Sequence, residues 1–101
     1  MNKKKTVKIP VYDQNIDIIK EDLKNADVLA YVTEDPLTLH WDPRYWTIKL
    51  CAHECVHLTN GIMKRCLMTL DDFDNDEHYA YLYATVFNKI WKLTIKEIAD
   101  D

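Results

Sequence analysis

Residues 42–61 read DPRYWTIKLCAHECVHLTNG, and what this stretch forms decides how the rest of the chain must pack. Asp42 can cap a helix, and Pro43 suits a first turn, where its missing N–H costs nothing. Tyr45, Ile48, Ala52, Cys55, Val56 and Thr59 then recur at helical spacing, which predicts one helix from Pro43 to at least Asn60 with a wide apolar face. Asn60-Gly61 is a frequent helix end, yet a glycine inside a helix costs only about 1 kcal/mol. Continuation to about Met68 is the expectation.

Upstream, Val7, Ile9 and Val11 alternate with polar residues. Ile16, Ile18 and Ile19 follow the turn-like Asp13-Gln14-Asn15, so a strand hairpin is expected. Residues 21–27 are polar enough for a short helix or loop. Val28 to Thr33 reads as a buried strand, Glu34-Asp35-Pro36 as a turn, and Leu37 to Trp41 as a further strand. Downstream, the acidic run 71–76 leads as a loop into a second helix from about Asn75 to Ile98, with Ala80, Ala84, Phe87, Trp91 and Ile95 as its packing stripe. The fold class that follows is α+β: a small N-terminal antiparallel or mixed sheet followed by two long helices, as one domain over residues 1–101.

Of the 101 residues 48% are hydrophobic, and the net charge is -4, which fits a globular domain rather than a disordered tail. The basic start Met1 to Lys5 is not followed by the apolar run of a signal peptide, so export is not expected. No stretch reaches the roughly 20 apolar residues of a membrane span, and no basic stripe suggests nucleic acid. Cys51, Cys55 and Cys66 lack CxxC spacing and read as reduced thiols. Cys51 and Cys55, four apart, are a weak metal pair or small buried apolar residues.

Within the central helix, His53-Glu54-Cys55-Val56-His57 places two imidazoles one above the other on one face. They could converge on a zinc ion, with Glu54 about 100° around the helix as general base toward a metal-bound water. The five residues also fit a chance string whose histidines bond backbone or carboxylates. A third ligand would come from the second helix. Glu77 opens it and is followed by the small Ala80 and Ala84, while Asp74 to Glu77 equally matches a capping box. His78 and Asp74 are fallback ligands. His78 and Tyr81 are the candidates for steadying an oxyanion or touching substrate. His40, beside Trp41 at a strand end, reads as structural.

The order hairpin, strands, HExxH helix and acidic loop, with His53 to His57 and Asn75-Asp76-Glu77-His78-Tyr79-Ala80-Tyr81-Leu82 as the specific stretches, resembles the small HExxH metallopeptidase-type proteins encoded by phages and prophages. Ile9-Pro10-Val11-Tyr12 is similar to that family's first strand. The resemblance implies a minimal zincin-like, gluzincin-type domain that binds Zn2+ through His53, His57 and Glu77. Glu54 would serve as the base for peptide-bond hydrolysis, acting on a peptide or protein of host or phage in a bacterial cytoplasm. The alternative is a small interaction or inhibitor protein on the same scaffold, with its metal structural or absent and with Trp41, Trp46 and Trp91 as interface anchors.

Overall fold

The computed structural model describes residues 3–66 and 73–100, with the backbone alone at 11 and 73–76. The alternating start forms β1 (Lys3–Ile9), antiparallel to β2 (Gln14–Lys20), with Lys3 opposite Lys20 and Ile9 opposite Gln14. Their link is a 3-10 turn at Pro10–Tyr12, closed by Asp13 at φ 50 with its N–H on the Pro10 carbonyl. The turn therefore lies ahead of the expected Asp13-Gln14-Asn15, and Gln14 already belongs to the strand. The period of two puts Val7, Ile9, Ile16 and Ile18 on one buried face.

β3 (Ala30–Thr33) and β4 (Thr38–Trp41) form a second antiparallel pair. β4 then lies parallel to β2, from Asp17 opposite Thr38 to Lys20 opposite Trp41, so the sheet runs β1-β2-β4-β3 and is mixed. Residues 21–27 form no helix. They are tied down by Asp42, whose carboxylate accepts the Leu23 N–H at 2.8 Å.

The helix expected from Pro43 is split. Asp42 caps a 3-10 turn at Pro43–Tyr45, and Thr47, accepting the Leu50 N–H, caps α1 (Ile48–Arg65). α1 does run through Gly61, as expected, and the reason for the glycine is a close approach. A Cβ there would sit 2.7 Å from Leu37 Cδ1, in the loop joining β3 to β4. The buried face of α1 is Cys51, Cys55, Leu58, Thr59 and Ile62, while Ile48 and Val56 are exposed. That face is turned from the expected one, because the two cysteines and the glycine allow the closer packing.

α2 (Phe73–Asp100) begins ahead of the expected Asn75, so Asp74 lies inside the helix and not at its cap. Its buried stripe is Leu82, Val86, Ile90 and Thr94, with Tyr79, Tyr83, Phe87 and Trp91 partly buried and stacked along one flank. Ala80 and Ala84 face solvent, and Ile95 is 41% exposed. Leucine, valine and isoleucine, burying more apolar area than alanine, set the rotation of the helix. The expected end of the first helix at Met68 and the start of the acidic run, 71–72, lie outside the described residues. Among the described residues no helix is long and apolar enough to cross a membrane.

Candidate functional site

α1 is flanked by two different neighbours. On one side α2 lies against it, with the Tyr83 hydroxyl donating to the Ala52 carbonyl at 2.9 Å. On the other side runs β3, an edge strand, and the space between them is a groove. One compartment, of about 530 Å³, is bordered by Tyr31, Val32, Glu34, His53, His57 and Asn60. A second, of about 450 Å³, is bordered by Val28, Leu29, Thr47, Lys49 and Leu50, and both compartments share Ala30, His53 and Glu54. From Thr47 to Asn60 the helix rises about 20 Å, the length of about six residues of extended chain.

The histidines stand as the helical spacing requires, with ring centroids 5.1 Å apart and both rings exposed to the groove. Glu54 is different: only 5% of it is exposed. The His53 ring nitrogen Nε2 stands 4.0 Å from its carboxylate, beyond hydrogen-bond distance. Burial therefore raises the Glu54 carboxyl pKa above its ordinary 4.5, against the smaller pull of His53 and His57. Such a group destabilises the fold when ionised. Stability is full below the ordinary carboxylate value and declines as pH climbs from there through the raised folded value. Glu54→Gln keeps the shape without an ionisable group, so it should remove that decline and become the more stable of the two proteins as pH rises. Denaturant midpoints measured from pH 4 to pH 8 check this, and a variant that still loses stability over that range would show another group to be responsible.

The zinc reading is corrected here. Among the described residues no three His, Cys, Asp or Glu side chains gather into a group that could hold an ion. Zinc as cofactor, zinc-dependent peptidase activity and the assignment to the phage HExxH, gluzincin-type family are overturned with it. The physical cause is the rotation of α2. Glu77 lies about 180° around that helix from the buried Val86, on the same exposed face as Ala80 and Ala84. The small residues expected to bring Glu77 close to His53 and His57 line solvent instead.

The remaining candidates are dispersed. His78 is exposed, with Nδ1 3.4 Å from the Tyr12 hydroxyl, and Tyr81 is 73% exposed. The Asp74 side chain lies outside the described residues. Cys51 and Cys55 are fully buried with Sγ atoms 3.9 Å apart, and the Cys51 contact together with burial pushes the Cys55 thiol far above its usual range. They are core. His40 is structural, stacked on Tyr31 at 4.2 Å, with Nδ1 3.2 Å from Glu21 and Nε2 3.0 Å from the Thr33 hydroxyl. Trp41 and Trp46 are buried too, so they anchor the fold and not an interface.

What the sequence reading missed is the far wall of the groove. Ala30, Tyr31, Val32 and Thr33 form an edge strand without a single charge. The opposite edge, β1, carries Lys3, Lys4, Lys5 and Lys8, with Lys5 ion-paired to Glu97 of α2. Charged edges, lysine above all, resist pairing with another strand, and uncharged ones invite it. The signal was present in the letters of residues 30–33, but only the strand order reveals that they form an edge. No protein-family model, no curated protein and no solved structure matches the chain.

Proposed function

We propose that this chain is an interaction protein that holds an extended segment of a partner protein in the groove between β3 and α1, on a zincin-like scaffold. The observation that carries the reading is the uncharged edge strand facing a groove of strand length. An edge strand turns alternate N–H and C=O groups outward, and an added strand satisfies them while its side chains fill the space beneath. Exposed Val28 and Leu29 at one end of the groove support the same reading, because they are two of the six large apolar side chains found exposed in the described residues.

The test is selection of binders from a displayed library of random twelve-residue peptides, followed by affinity measurement on Asn60→Trp. Asn60 is exposed on α1 and borders the groove, so an indole there fills it without disturbing the core. Selected peptides should bind Asn60→Trp at least tenfold more weakly. Peptides that bind the variant equally well would place recognition elsewhere and refute the groove.

A further inference from the structure

The two compartments differ in chemistry, and the difference names the partner. One end presents the aliphatic side chains of Val28, Leu29 and Leu50, with Val28 44% and Leu29 53% exposed. The other presents Glu34, the two imidazoles and Asn60. Glu54 belongs to both and stands at their junction, a residue only 5% exposed whose carboxylate lines the groove with His53 Nε2 4.0 Å away. A carboxylate at the floor of a groove has lost part of its hydration, and a cation that hydrogen-bonds to it restores the lost stabilisation. Glu34, just past the end of β3 on the facing wall, adds a second negative charge, shared with Lys64 at 3.4 Å.

We infer that the bound segment carries a large aliphatic or aromatic side chain and, two residues away, a lysine or arginine: the first seats among Val28, Leu29 and Leu50, and the second is received by Glu54. In an extended chain, residues two apart share a face about 6.7 Å apart, close to the roughly 6 Å that the helix rises from Leu50 to Glu54. The inference rests on the groove reading and adds the chemistry of its occupant. Glu54 supplies selectivity through its charge, and the apolar compartment supplies area.

The peptides selected on the wild-type protein test it. They should share a large apolar residue and a basic residue two positions apart. Replacing that basic residue with glutamine should weaken binding to the wild type about tenfold and binding to Glu54→Gln less than twofold. Leu29→Asp should weaken the same peptides about tenfold while its thermal unfolding stays cooperative. Peptides that need the groove, as judged by their loss on Asn60→Trp, but show no basic preference would overturn this inference and leave the groove standing. So would a glutamine penalty of equal size on Glu54→Gln. Selection yielding no groove-dependent peptide would remove the reading beneath it.

Discussion

Trp46→Ala should destabilise the fold by about 4 kcal/mol, the scale of truncating a buried large aromatic. Trp46 is 8% exposed, its ring lies 5.4 Å from that of Trp41, and its indole N–H donates to the Thr94 hydroxyl at 2.8 Å. It thereby joins the entry to α1, the end of β4 and the last turns of α2. A domain of this size has only about 5–15 kcal/mol in total, so the midpoint of thermal unfolding should fall by more than 15 °C. Trp46→Phe keeps a ring in the site and should lose about half as much. Equal losses in the two variants would mean that the indole hydrogen bond, and not the buried area, holds the three elements together.

Asp42→Ala should cost about 3 kcal/mol, because it strands partners that the buried carboxylate satisfies. Asp42 is 2% exposed and accepts from the Leu23 N–H, the Arg44 N–H, Arg44 Nε at 3.1 Å and Arg44 Nη2 at 2.7 Å. Arg44 also reaches Asp22, so one carboxylate fixes both the loop after β2 and the turn before α1. Hydrogen bonds from Arg44, and then from Leu23, hold its pKa at about 2, below the ordinary 3.8. With a folded value below the unfolded one, its contribution is present above pH 3.8 and is lost as pH falls through about 2. Urea midpoints between pH 2 and pH 7 should show that acid loss in the wild type and a smaller one in Asp42→Ala. Parallel curves for the two proteins would assign the acid sensitivity to other carboxylates.

Strand chemistry was readable in residues 3–41 because alternation of Val7, Ile9, Ile16 and Ile18 leaves one arrangement with the apolar side chains inside. The existence of two long helices was equally plain. Their rotation was not. In α1 the stretch from 48 to 63 offers apolar residues almost all round, so Ile48 and Val56 compete with Cys51, Leu58 and Ile62 for the core. The sheet settles the contest by bringing Leu37 against Gly61. In α2 the small residues Ala80 and Ala84 suggest a close-packing seam, whereas Leu82, Val86 and Ile90, four apart, bury more area. Expecting that seam is what aims Glu77 at α1, whereas the helix turns Glu77 to its exposed face. The burial of Glu54 depends on where β3 lies, and the parallel pairing of β2 with β4 that puts β3 on the edge leaves no local mark in the sequence.

The account stands on β3 as the strand that receives a partner. Amide hydrogen exchange of the protein alone and saturated with a selected peptide measures this residue by residue. The outward amides among Ala30–Thr33 should gain strong protection on binding, while β1, lysine-rich along Lys3–Ile9, should not change. Protection gained at β1 or along α2, with none at β3, would contradict it.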